Sequence, residues 1–223
     1  MAQLVLPLVT NAALGREDFI VGPANAEAAA FIDRYPDWPS SVAAIFGPAG
    51  SGKSHLAAAW AASAGAAIVD AAALDAATAG GDWPAIAIEN VDAAEPELGR
   101  DANLFTALER GAPVLLTGRT EPLRWRATMP DLASRYRAML CFALWEPDEA
   151  LLGSLARKLF ADRQLSVPDA VVTQMLLSLE RSPAAIRDFI ARADVRALSE
   201  RRPVSLGLVR EMLRDQEVNT LKE

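Results

Sequence analysis

Five short apolar runs punctuate the first two thirds of the chain: Val42–Phe46, Ala66–Val69, Ala85–Ile88, Val114–Thr117 and Met139–Leu144. Their hydrophobicity is continuous, which marks strands buried on both faces and not a sheet with one wet side. Stretches with helical character lie between them. Asn25 is placed as an N-cap for a helix through about Arg34, and Leu56 to Trp60 continues from a glycine-rich loop. An alanine-rich helix is expected from Asp70-Ala71 to Ala79, and another from Asp101 to Arg110, stopped by Gly111. Alternation of short strands and helices predicts a parallel five-stranded α/β sheet covered on both faces, with ligands at the carboxyl ends of the strands. Gly47, Glu89 and Thr117 fall at such ends.

The period changes at Glu146-Pro147. Leu151, Leu152, Leu155 and Leu159 recur at helical spacing, as do Val171, Met175 and Leu176 after Pro168. Ile186, Phe189, Ile190 and Ala193 follow Ser182-Pro183, and Leu208, Val209 and Met212 follow Ser205. A small all-helical domain over 147–223 is therefore expected behind an α/β domain over 13–146, with residues 1–12 as a flexible tail.

Composition narrows the class. An apolar share of 52% in 223 residues is globular, and no apolar run approaches a membrane span. The start, Met1-Ala2-Gln3-Leu4, lacks the basic region of a signal peptide, so a cytoplasmic protein is expected. One cysteine, Cys141, excludes an internal disulfide, and one histidine, His55, argues against a His/Cys metal site. Cys141 is expected in the core. The net charge is −7, and neither part is basic: residues 146–223 hold 12 Lys/Arg against 13 Asp/Glu, the rest 10 against 16. Strong direct DNA binding is disfavoured, and a protein partner fits better.

The candidate chemistry centres on Gly47-Pro48-Ala49-Gly50-Ser51-Gly52-Lys53-Ser54. This spacing, between an apolar strand and a helix, lets backbone N–H groups curl around a phosphate, with glycines where a side chain would block it. Lys53 would reach the terminal phosphates and the Ser54 hydroxyl would hold Mg2+, with His55 packing beside them at the helix start; a glycine-rich turn without ligand is the bland alternative. Phe19-Ile20-Val21 could form an apolar slot for a base, or could be core. At the end of the third strand Glu89 takes the metal-holding position, but Asn90 stands where a second acid would orient water, and an amide cannot accept that proton. Such a site holds nucleotide better than it cleaves it. Arg135 could reach a phosphate on a neighbouring subunit, or be an ordinary surface arginine; Arg187 could reach this chain's own phosphates, or be a solvated helix arginine. In the tail, Leu4, Leu6 and Leu8 fall on one side of an extended segment, with Gln3 as a directional hydrogen-bonding group, so it reads either as a docking peptide or as a frayed end.

Phe19-Ile20-Val21-Gly22-Pro23-Ala24-Asn25, the phosphate loop, Ser134-Arg135 and Ala185-Ile186-Arg187-Asp188 occur in the order used by AAA+ ATPases of the DnaA replication-initiator type, which the chain resembles from about Arg16 to Met212. Its layout, without a following helix-turn-helix domain, is similar to the truncated DnaA-homologous regulators of initiation, whose sliding-clamp-binding hexapeptide resembles Gln3-Leu4-Val5-Leu6-Pro7-Leu8. The resemblance implies a helical lid, bound ADP or ATP, and two partners: the β sliding clamp through Gln3, Leu4, Leu6, Pro7 and Leu8, and DnaA. It implies that Arg135 is the arginine finger acting on DnaA-bound ATP, Arg187 the sensor 2 arginine and Thr117 the sensor 1 position. Glu89 departs from the usual aspartate, and Arg137 is a substitute candidate for the finger. Because AAA+ modules place nucleotide between subunits, a nucleotide-dependent homodimer is a further expectation. The rival expectations are an autonomous ATPase or helicase loader and a non-catalytic clamp-bound adaptor.

Overall fold

In the computed structural model, which describes residues 15–220, the described residues fall into two compact units, within Ala13–Glu146 and within Pro147–Glu223. The first is built on β1 (Val42–Phe46), β2 (Ala67–Asp70), β3 (Ile86–Glu89), β4 (Val114–Gly118) and β5 (Leu140–Ala143), paired throughout in parallel in the order β2-β3-β4-β1-β5. Its helices are α1 (Ala26–Asp33), α2 (Lys53–Ala64), α3 (Ala76–Ala79), α4 (Leu98–Glu109) and α5 (Pro130–Ala138). The expected α/β class and five-stranded parallel sheet are present.

Strand alternation divides the core into two layers. Ala43, Ile45, Ala87 and Leu115 join Phe31 of α1 and Leu56 and Trp60 of α2. Ala44, Ile86, Ile88, Val114 and Leu116 join Leu104 and Leu108 of α4 and Leu132 and Tyr136 of α5. Alanines on the strands leave room for large rings from the helices. Phe142, Phe31, Trp38 and Trp60 stack in sequence with centroids 4.4, 4.5 and 5.1 Å apart.

Several local expectations differ from the structure. The alanine-rich segment after β2 is a 3-10 turn, Ala71–Ala73, followed by the short α3. Asp70 accepts from the Ala72 N–H and Asp75 from the Thr78 N–H, so two caps start two separate turns where alanine propensity favoured one helix. Asn25 stands at the start of α1, but its side chain turns back into the preceding loop. Cys141 is half-buried on the edge strand β5, beside the core and not inside it.

Helix α4 begins at Leu98, three residues before the expected Asp101, whose N–H already bonds the Glu97 carbonyl in the first turn while its side chain has a tertiary role. It is fully buried and accepts from the N–H and hydroxyl of Thr128 at 2.6 and 2.8 Å, tying α4 to the approach of α5. Asp101→Ala strands these donors and the Arg100 guanidinium that pairs with it. We expect a loss of about 2–3 kcal/mol, read as a lower urea midpoint at unchanged slope.

The second unit consists of α6 (Glu149–Asp162), α7 (Asp169–Ser178), α8 (Pro183–Glu200) and α9 (Leu206–Thr220). Asp148 caps α6 through the Leu151 N–H, and Ser182, followed by Pro183, caps α8 through the Ala185 N–H. Leu152, Phe160, Val171, Met175, Ile186, Phe189, Leu208 and Val209 form its core.

Candidate nucleotide-binding site

The interior position of β1, between β4 and β5, sets the site. Beyond Phe46 the chain enters the loop 47–52, with the Gly47 N–H donating to the Gly118 carbonyl at 3.2 Å, so the loop is fastened to the end of β4. A Cβ on Gly47 would run into the Leu144 carbonyl. Gly52, at φ +100°, lies in the left-handed region immediately before α2, and a Cβ there would stand 3.1 Å from the Phe19 ring. A glycine at this N-cap offers no side chain to the first-turn N–H groups of α2, which leaves them to an anion drawn by the helix dipole.

Lys53 is buried, and its Nζ donates to the carbonyls of Gly47 and Pro48 at 2.8 and 2.7 Å, with the Ser51 hydroxyl at 3.5 Å. Desolvation pulls its pKa below the usual 10.5; Asp92 and Glu89 oppose this shift and Arg119 adds to it. To meet a phosphate, the ammonium exchanges two neutral acceptors for charged ones, a favourable trade in a half-dry site. Ser54 is exposed on the first turn of α2.

Glu89 ends β3 beside Asp70, its register partner on β2. Its Oε1 is buried with no hydrogen-bond partner among the described residues. A carboxylate oxygen so placed suits a cation or its bound water, and Ser54 and Glu89 are the residues that would hold Mg2+. Among the described residues there is no group of three or more His, Cys, Asp or Glu that could hold a metal.

Asn90 takes a left-handed conformation, φ 59°, which asparagine tolerates better than most residues. Its Nδ2 donates to Asp70 Oδ2 at 2.7 Å, and its backbone N–H donates to the Thr117 hydroxyl at 3.2 Å. Thr117, 1% exposed, thus locks the end of β4 to the end of β3. Two acids carry little site signal in the sequence. Asp70 reads there only as a helix start, yet it places a carboxylate against the amide of Asn90. Asp92 accepts from the N–H groups of Arg119 and Thr120 at 2.8 Å each and from the Thr120 hydroxyl at 2.7 Å. The only linear signal was an acid two residues beyond Asn90.

Phe19 is buried edge-on against His55, with centroids 5.3 Å apart, while His55 Nε2 bonds the Gly15 carbonyl at 3.0 Å. His55 therefore fastens the segment that leads to Ile20 and Val21. Asn25 shapes that segment, donating to the Ile20 carbonyl at 3.0 Å and accepting from the Gly22 N–H at 2.9 Å. Val21 is 46% exposed and Ile20 half-buried, so an apolar wall is offered near the loop that Phe19 touches at Gly52.

Gly47, Pro48, Ala49, Gly50, Ser51, Gly52, Lys53 and Ser54 thus share one edge of the sheet with Glu89 and Thr117. Arg135 does not join them. It lies in the last turn of α5 and pairs with Glu109 at the end of α4, both side chains about half exposed. Arg137 is exposed and bonds no other described residue. Arg187 is half-buried near the start of α8, in the helical unit. The proposed clamp-binding residues Gln3, Leu4, Leu6, Pro7 and Leu8 lie outside the described residues. Among the described residues no helix is long and apolar enough to cross a membrane.

No protein-family model and no curated protein matches the chain. Solved structures do. Domain III of the Thermotoga maritima replication initiation protein DnaA is 20% identical with a TM-score of 0.78, over 92% of this chain and 97% of that one. AMPPCP-bound DnaA from Aquifex aeolicus is 16% identical with a TM-score of 0.69, over 82% of this chain and 65% of that one. The Thermotoga maritima RuvB Holliday junction branch migration motor is 16% identical with a TM-score of 0.64, over 87% and 69%. By its sheet order, its phosphate-loop geometry and these likenesses, the chain has the DnaA-like AAA+ fold.

Proposed function

We propose that this chain is a nucleotide-holding regulator that inactivates the replication initiator DnaA, in the manner of Hda, and so prevents over-initiation. The observation that carries the reading is Asn90. The loop, Lys53 and the unpartnered Glu89 oxygen make a site for a nucleoside diphosphate or triphosphate, while the position for a water-orienting acid holds an amide bonded to Asp70. Nucleotide binding is supported further by the DnaA structures solved with AMPPCP. A site that grips without cleaving suits a protein whose nucleotide is a structural ligand, here ADP, and whose chemistry is exerted on another molecule.

In this reading the backbone of residues 47–52 cradles the β-phosphate, Lys53 exchanges its loop carbonyls for phosphate oxygens, and Ser54 and Glu89 hold the cation. Bound Mg2+ would neutralise phosphate charge. Ile20 and Val21 flank the base. Arg187 serves as the sensor 2 arginine and Thr117 as sensor 1. Arg135 leaves Glu109 to stabilise the charge developing on the γ-phosphate of ATP held by DnaA. Gln3, Leu4, Leu6, Pro7 and Leu8 dock on the DNA-loaded β clamp and raise the local concentration of the regulator. One observation favours a second reading, slow hydrolysis by the chain itself: the Asp70 carboxylate stands 2.7 Å from the Asn90 amide.

Hydrolysis of DnaA-bound ATP, followed with purified chain, ADP and clamp loaded on DNA, tests the proposal. The wild-type chain should accelerate hydrolysis, and Gln3→Ala should lose the dependence on clamp while keeping its thermal stability. A chain that leaves the ATP on DnaA untouched and consumes its own would establish the autonomous ATPase instead.

A further inference from the structure

The helical unit carries a basic groove that the nucleotide chemistry does not use. Between α7 and α9 lies a groove of about 510 Å³ lined by Gln174, Ser178, Arg210, Leu213 and Arg214. Six cations of this unit are answered by carboxylates: Arg157 by Asp169, Lys158 by Asp162, Arg163 by Asp194, Arg181 by Glu149, and Arg196 and Arg202 by Glu200. Arg210 and Arg214 form no ion pair among the described residues, although the charge of Arg214 is felt at Glu211. Arg210 Nε reaches only the Gln174 amide oxygen, at 3.5 Å, and Arg214 Nε donates to the Arg210 carbonyl at 3.3 Å.

Among the described side chains of α9, Glu211 bonds Arg202, just beyond α8, and Asp215 bonds Arg196 of α8, while Arg210 and Arg214 line the groove beside α7. Like charges four residues apart on a helix repel, so two guanidinium groups outside any ion pair are poised for an outside anion. Gln174 Nε2 donates to the Ser178 hydroxyl at 3.2 Å, which presents a polar wall opposite. The floor is Leu213, and Leu177, one residue before Ser178, is 75% exposed.

We propose that this groove binds an acidic, amphipathic segment of a partner protein, carboxylates on Arg210 and Arg214 and an apolar side chain on Leu213. Nucleic acid fits less well. Two guanidinium groups neutralise few phosphates, the lining has no aromatic ring on which a base could stack, and the chain carries a net charge of −7. The groove lies wholly within the helical unit, so its test is independent of nucleotide.

Fluorescence anisotropy of a short labelled peptide of alternating glutamate and leucine reads the site. The wild-type chain should bind it more weakly as salt rises, and the double variant Arg210→Ala/Arg214→Ala should lose about tenfold in affinity, the effect expected of two exposed charge-assisted bonds. Arg181→Ala, outside the groove, should bind as wild type, and equal thermal melting shows that all three chains are folded. Failure of the wild type to bind, equal affinity in the double variant, equal binding of a lysine–leucine peptide, or tighter binding of oligothymidylate would each overturn the proposal.

Discussion

ADP is expected to raise the melting temperature of the wild-type chain by about 5–10 °C when present at roughly a hundred times its dissociation constant, and to leave Lys53→Ala unmoved. A ligand at that excess that binds only the folded state stabilises it by about 2.7 kcal/mol. In a chain of this length each kcal/mol moves the midpoint by about 2–4 °C. Lys53 is the natural target because its Nζ already stands inside the loop, on the carbonyls of Gly47 and Pro48. Alanine removes the cation and keeps the backbone cradle, so the melting point without ADP reports the fold and the shift with ADP reports the site.

The same lysine gives the pH dependence a sign. Burial holds its pKa below 10.5, and a bound phosphate raises it again. Binding therefore takes up a proton at alkaline pH, and affinity for ADP falls as pH rises through the lowered value. Equal melting with and without ADP in the wild type would remove the nucleotide pocket altogether.

Arg135→Ala should abolish the stimulation of DnaA-bound ATP hydrolysis. A guanidinium supplied in trans accelerates such reactions by about 10³–10⁵-fold, so the variant should fall to the rate of DnaA alone. ADP binding and clamp binding should be unchanged, since Arg135 pairs with Glu109 and does not join the phosphate loop. Glu109→Gln tests the same geometry from the other side. An ion pair this exposed is worth about 0–1 kcal/mol, so releasing Arg135 should raise stimulation by no more than about fivefold. Arg137→Ala distinguishes the two arginines. Loss of stimulation in Arg137→Ala, and not in Arg135→Ala, would move the finger two residues along α5. Full activity in both variants would favour an adaptor that acts through binding alone.

The parallel sheet, the phosphate loop and the helical domain were legible in the sequence because each is written in neighbouring residues. Continuous apolar runs at 42–46, 86–88 and 114–117 can be buried only with both faces covered, and Gly47, Gly52 and Lys53 encode a local backbone path. Other features required the packed chain. Asn90 meets Asp70 from 20 residues away, Asp92 grips Thr120 from 28, and Asp101 holds Thr128 from 27. The Glu109–Arg135 pair likewise joins two different helices.

Those partners are chosen by strand register and by the angle at which a helix crosses the sheet, neither of which has a period in the sequence. For the same reason the alanine run after β2 misled: helix propensity is local, while the caps at Asp70 and Asp75 act where the sheet edge ends. The sequence by itself determined which residues could hold a phosphate. Only the tertiary structure decided which carboxylates stand beside them and which are already engaged, because a side chain's hydrogen bonds are settled by what packing brings within 3 Å of it.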